Sequence, residues 1–188
     1  MNLLRIAIVT GSTRPGRNNE AVARWVHGLA KGRKDAEVEL VDIADYGLPL
    51  LDEPLPPSLG SYTHDHTKRW AAKIGSFDGY VFVTPEYNHG TSAALKNAID
   101  YLYREWNNKA AVAHEAGGAG GVRAVEHLRL VMGELMVATV RGQVTLSLFT
   151  DFENFTTFKP DPRHGQQVQT MLDQVVSWAR ALQTVRTS

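Results

Sequence analysis

Five short apolar runs, each followed by a segment of helical spacing, constrain this chain more than any other feature. Leu3 to Thr10, Val38 to Ile43, Asp78 to Thr84 and Lys109 to Ala113 read as strands, and Met136 to Phe149 holds a fifth, broken or bent near Arg141-Gly142. Between and after them come helical stretches: Ala21 to Leu29, Thr67 to Ser76, Ser92 to Arg104, Val122 to Leu135 and Gln167 to Leu182. The run Tyr80-Val81-Phe82-Val83 is apolar on consecutive positions, as a strand covered on both faces must be. Strict alternation of the two element types predicts an α/β fold, a doubly wound parallel sheet with helices on both faces.

The 188 residues suffice for one domain, 1–188, with a full core. Ala44 to His66, which holds Pro49, Pro54, Pro56 and Pro57, is long for a connection and reads as a lid, a binding loop or an oligomer contact. A loop rich in Phe, Asp and Pro runs from Phe149 to Gly165. The 20 basic and 20 acidic residues cancel and are scattered, so nothing favours nucleic acid or an anionic membrane. Without cysteine there is no disulfide, thiolate nucleophile or Cys-ligated metal. The first apolar run carries Arg5 and leads into Gly-Ser-Thr rather than a cleavage site, and no run reaches the roughly 18 apolar residues of a membrane span. The expectation is a soluble, cytoplasmic protein.

Three loops follow strands one, three and four, and in a parallel sheet all three fall on the carboxyl edge, where such sheets bind ligands. The first, Gly11 to Asn19, joins a strand to a helix, so its amides and the helix dipole suit an anion. Ser12 and Thr13 add hydroxyls, Arg14 and Arg17 add charge, and Asn18 or Asn19 can cap the helix. No Gly-Lys-Ser/Thr closes the loop, which argues against a nucleoside triphosphatase, and Gly-x-Gly-x-x-Gly is absent. An ordinary turn with surface arginines is the bland alternative. The second loop, Thr84-Pro85-Glu86-Tyr87-Asn88-His89-Gly90, presents a flat ring and an amide behind a stiff proline. That is suited to a planar heterocycle, although a Pro-Glu turn with an Asn cap would use the same residues. His89 alone is more often a surface residue than an acid–base group. The third, Gly117 to Gly121, lets backbone approach a ligand closely or simply turns.

Taken together these residues resemble the NAD(P)H-dependent FMN reductase family of the flavodoxin-like superfamily, whose relatives reduce quinones, azo compounds or chromate. The matching pieces are Gly11-Ser12-x-Arg14-x-Gly16-x-x-Asn19, Pro85-Glu86-Tyr87-Asn88 followed by Leu95-Lys96-Asn97-Ala98-Ile99-Asp100, and Gly117-x-x-Gly120-Gly121-x-Arg123-Ala124. The resemblance implies a five-stranded sheet of order 2-1-3-4-5. It implies FMN phosphate held by Ser12, Arg14 and Asn19 with Arg17 beside them, and the ring lined by Pro85, Glu86, Tyr87 and Asn88 and closed by Ala116, Gly117 and Gly118. His89 would face the substrate. Glu86 and Arg123 would be structural partners, and the helices Ser92–Arg104 and Val122–Leu135 would pack in a homodimer or homotetramer. Glu115, in a departure from the family pattern, would lower the flavin potential if it stands close to the ring.

The implied activity is passage of hydride from NADPH or NADH through FMN to a quinone-like, azo or flavin acceptor, a small molecule, in a ping-pong cycle. The flavin carries the chemistry, so no protein nucleophile, general base or metal is assigned. The alternative is a non-catalytic FMN-binding electron carrier or redox-sensing module. Such carriers tend to be acidic, and this chain is neutral.

Overall fold

The computed structural model describes residues 3–117 and 120–186, and of residues 114–117 the backbone only. Its strands and helices alternate: β1 (Leu4–Thr10), α1 (Asn19–Ala30), β2 (Ala36–Asp42), α2 (Asp65–Gly75), β3 (Gly79–Pro85), α3 (Ala93–Asp100), β4 (Lys109–Gly117) and α4 (Val122–Glu134). Then come β5 (Val137–Thr139), β6 (Thr145–Ser147), the two-residue strands β7 (Phe152–Glu153) and β8 (Thr157–Phe158), and α5 (Arg163–Arg186).

The parallel sheet runs β2-β1-β3-β4-β5, the expected order, and β6 pairs with β4 as a sixth strand. The predicted break in the fifth strand is real. β5 pairs with Lys109–Ala111 of β4, and β6 pairs further along, with Glu115–Gly117. Between them the chain dips onto α5, where the Gly142 amide donates to Gln174 Oε1 at 2.7 Å. A Cβ at Gly142 would stand 2.9 Å from that oxygen and 3.2 Å from the Met171 Cα, so only glycine lets the chain come so close.

Alternate strand residues feed two cores. Ala7, Val9, Tyr80, Phe82, Ala111 and Ala113 pack against α2, α3 and α4, while Ile6, Ile8, Val81, Val83, Ala110 and Val112 pack against α1 and α5. This accounts for the continuous hydrophobic runs, since both faces of the pleat are covered.

Two expectations are corrected. The helix drawn from Ser92 to Arg104 stops at Asp100. The indole N–H groups of Trp70 and Trp106 donate to the carbonyls of Ala98 and Ile99 at 2.7 and 3.1 Å. The indoles thereby satisfy carbonyls that the end of the helix leaves without their i+4 amides. The loop rich in Phe, Asp and Pro contains the antiparallel β7–β8 hairpin. Its strands are too short to show a period of two. The long connection from Ala44 to His66 begins in a 3-10 turn and then lies along α3. It is fastened by Asn97, whose Nδ2 donates to the Pro49 carbonyl at 2.6 Å and whose Oδ1 accepts the Leu51 amide at 2.9 Å. The Tyr101 hydroxyl adds a bond to Asp52 Oδ1 at 2.9 Å.

Candidate active site

The first and second loops are locked to each other before any ligand is considered. The Gly11 amide donates to the Val83 carbonyl at 2.8 Å, carrying the strand pairing one residue past β1. A Cβ on Gly11 would meet Leu95 Cδ2 at 2.8 Å and the Val83 oxygen at 2.9 Å, so the backbones touch where no side chain fits. Ser92 then does two jobs. Its Oγ donates to the Gly11 carbonyl at 2.6 Å and accepts the Leu95 amide at 3.0 Å, which caps α3. Asn88 is therefore not the cap of that helix.

Ser12 is buried, and its Oγ lies 3.2 Å from the Tyr87 hydroxyl while accepting the Arg14 amide at 3.3 Å. Arg14 itself is exposed, and its guanidinium meets no carboxylate among the described residues. Arg17 is held differently: it pairs with Asp42 at the end of β2 and with Glu20 at 3.5 Å. Burial pushes the Asp42 carboxyl up, against the pull of the Ala44 amide and Arg17. Asn19 is buried, and its Nδ2 reaches the Val83 carbonyl at 3.2 Å. Its amide thus bridges α1 and β3 rather than pointing outward.

In the second loop Tyr87 and Gly90 exchange backbone bonds at 2.8 and 3.1 Å around Asn88 and His89, whose φ angles are 51° and 71°. Two positive angles define a type I′ turn. The turn stands Tyr87, Asn88 and His89 out of the edge, all exposed, while Pro85 stays buried in β3. Beneath it, the hydroxyls of Thr84 and Thr91 meet at 2.5 Å.

Glu86 ties the second loop to the third. Arg123 Nε donates to Oε1 at 2.6 Å, and the amides of Arg123 and Ala124 donate to Oε2 at 3.2 and 3.4 Å. The residue before α4, Gly121, has no side chain with which to cap it, so Glu86 supplies the cap from another loop. Burial works to raise the Glu86 carboxyl, but Arg123 and the two amides overcome it and hold it below the usual carboxylate range. The expected Glu86–Arg123 pairing is formed. Of the third loop, Gly118 lies outside the described residues, as do the side chains of Glu115 and Ala116. The backbones of Ala116 and Gly117 end β4, paired with Leu146 and Ser147 of β6.

The first loop fits an anion on an observation of its own. Arg17 Nε is buried and has no hydrogen-bond partner, and the Thr10 hydroxyl beneath the loop is likewise unpaired. The unpaired Arg17 N–H and Thr10 hydroxyl near the start of α1 are donors that a phosphate would satisfy, while the unpaired Asn19 Oδ1 beside them is an acceptor and would not be. The exposed ring and amide of the second loop fit a flat heterocycle beside it. Two cavities flank the edge, one of about 360 Å³ between Thr13, Leu48 and Asn97, and one of about 390 Å³ between Gly120, Thr145 and His164.

The residue that spacing could not reveal is Asp42. It lies 25 positions from the arginine it holds and belongs to a strand with no motif of its own.

Sheet order defines a flavodoxin-like α/β fold, with the three loops gathered at the carboxyl ends of β1, β3 and β4. The model of the family described as NADPH-dependent FMN reductase matches residues 4–151. An NAD(P)H-dependent FMN reductase of Nectria sp is 40% identical over 159 residues, covering 79% of each chain. A 2-hydroxy-1,4-benzoquinone reductase of Burkholderia sp is 29% identical over 188 residues, covering 94% of this chain and 97% of its own. Among solved structures, the flavoenzyme NAD(P)H:(acceptor) oxidoreductase of Paracoccus denitrificans superposes with a TM-score of 0.76 at 22% identity, covering 95% of this chain and 98% of that one, a likeness of fold. The chain belongs to the NADPH-dependent FMN reductase family, oxidoreductases that use FMN and NAD(P)H. Among the described residues no helix is long and apolar enough to cross a membrane.

Proposed function

We propose that this chain is a single-domain NAD(P)H-dependent reductase that passes hydride through bound FMN to a quinone-like, azo or free flavin acceptor in a ping-pong cycle. The observation that carries the reading is the Ser12–Tyr87 contact at 3.2 Å, which joins an anion-suited loop to a ring-suited turn. Bound FMN supplies hydride acceptance and return; the chain's residues bind, orient and exclude water. Ser12, Arg14, Arg17 and Asn19 hold the phosphate, Asn19 also keeping α1 against β3 through its Nδ2. Pro85, Glu86, Tyr87 and Asn88 line the ring, Ala116, Gly117 and Gly118 close its far rim, and His89 stands on the acceptor side. No side chain serves as nucleophile or general base.

The quinone class draws support from the Burkholderia relative's own activity. Assembly as a homodimer or homotetramer through α3 and α4, and residence in the cytoplasm, complete the reading. The test is anaerobic mixing of the holoprotein with NADPH and with NADH. Bleaching of the flavin absorbance by either is expected, followed by recovery on adding a quinone. Failure of both reductants to bleach it overturns the reading.

A further inference from the structure

The turn that presents Tyr87, Asn88 and His89 has a counterpart. In the β7–β8 hairpin the Thr156 amide donates to the Glu153 carbonyl at 3.1 Å around Asn154 and Phe155, with φ angles of 50° and 59°. The loop is one residue longer than the Tyr87–Gly90 turn, since Glu153 pairs with Thr157, but it shares the two successive positive φ angles that favour Asn-Gly. Here phenylalanine occupies the glycine position, a strained placement for a bulky side chain. The ring gains no burial by it. Phe155 is 57% exposed, and Phe149, whose ring stands edge-on to it at 5.7 Å, is 70% exposed. The other hairpin aromatics face inward: Phe152 is buried, and Phe158 packs on Trp25 at 5.5 Å.

The turn is also firmly placed. Asn18, from the phosphate loop, donates its Nδ2 to the Phe155 carbonyl at 2.7 Å. At the hairpin's base Asp151 accepts the Ser147 and Asp161 amides at 2.9 and 3.1 Å and faces His164 Nε2 at 3.0 Å. A strained, exposed and braced aromatic residue suggests function, because strain persists where the surroundings impose it.

We propose that Phe155, with Phe149 against its edge, is a stacking platform for the purine ring of the nicotinamide dinucleotide. The proposal rests on the reductase reading above. A flat face with a perpendicular neighbour suits a planar aromatic occupant. Its tie to the first loop, assigned above to the flavin phosphate, holds the platform beside the edge at which the reductant must meet the flavin. The adenine of NAD(P)H is the planar aromatic group that comes to that edge with the nicotinamide.

The experiment compares wild-type and Phe155→Gly holoprotein with NADPH and with reduced nicotinamide mononucleotide, which lacks the adenosine. In Phe155→Gly the ratio of KM for NADPH to KM for the mononucleotide rises about tenfold, the scale of one base–aromatic stack. Phe155→Tyr restores it. Glycine suits the turn, so Tm holds or rises and FMN is retained, whereas a structural role for the ring would lower Tm. Calorimetry with ADP provides a readout apart from turnover: wild type binds it and Phe155→Gly does so at least about tenfold more weakly. An unchanged KM ratio, or ADP binding equal in both proteins or absent from both, overturns the platform. Loss of FMN from Phe155→Gly also overturns it, since the ring would then serve the flavin. If NADPH fails to bleach wild type at all, the reductase reading falls, and the ADP titration decides the platform by itself.

Discussion

Glu86 caps a helix that its own loop does not begin: its carboxylate takes the second and third amides of α4, those of Arg123 and Ala124, and the guanidinium of Arg123. With its side chain only 7% exposed, Glu86 binds the turn after β3 to the segment after β4. Glu86→Ala is expected to cost about 1–2 kcal/mol, the range of a lost cap, and to weaken FMN retention. Its folded carboxyl lies below the unfolded value of about 4.3, so its contribution is full above that value and lost as pH falls below it. Chemical denaturation of wild type and variant should therefore differ most near neutrality and converge in acid. A constant gap across that range would contradict this account.

Gly11→Ala puts a methyl group onto Leu95 and the Val83 carbonyl at under 3 Å. Overpacking of this kind costs roughly 1–3 kcal/mol, and here it also pushes the first loop away from the second. Reconstitution with FMN should weaken together with Tm. Gly16→Ala, where no atom stands near the new Cβ but φ is 68°, should lower Tm less.

Arg14 and Arg17 should respond differently. Arg14 is exposed with no carboxylate partner among the described residues, so Arg14→Ala should weaken FMN binding about tenfold, the worth of one charged hydrogen bond, with Tm of the apoprotein unchanged. Arg17→Ala leaves the half-buried Asp42 without its guanidinium and should lower apoprotein Tm as well. Equal effects on both measurements would refute the division of roles.

Lys109 sits at the opposite edge of the sheet, buried, with Nζ donating to the Gly75 carbonyl at 3.1 Å and to the Tyr80 hydroxyl oxygen at 3.0 Å. Burial, with Arg186 adding to it, lowers its pKa from 10.5 to about 8. The unfolded chain thus takes up this proton at higher pH than the folded one. Stability from this group is full above the unfolded value, falls as pH drops from about 10.5 to about 8, and is level below, a loss on the order of 3 kcal/mol. Lys109→Met removes that slope, and the wild-type minus variant difference, followed by urea unfolding from pH 7.5 to 10.5, should rise with pH.

The strand–helix alternation was legible because β1, β3 and β4 are covered on both faces and carry unbroken apolar runs. The loops that form the edge were legible for the same reason: a parallel sheet sends every strand end one way. What stayed hidden depends on partners far along the chain. Nothing near Asp100 announces that two indoles will take the carbonyls at the end of α3, and nothing near Arg17 announces Asp42. The fifth strand's interruption was visible at Gly142, but its rejoining opposite Glu115 was not, because the detour between the two pieces rests on Gln174 and Met171, about 30 residues further along the chain. The hairpin that carries Phe155 has two residues a side, too few for any alternation to appear.

The divided fifth strand bears on how these molecules behave in a crowd. β5 and β6 each present only three residues, displaced from one another along β4, and at the far side β2 carries Glu37 and Glu39. Neither border offers the long, flat, uncharged template on which a neighbour's backbone could zip. Bridging the gap at residues 140–144 into one continuous strand would remove that protection, and fibrillar growth from the sheet's margin would become available.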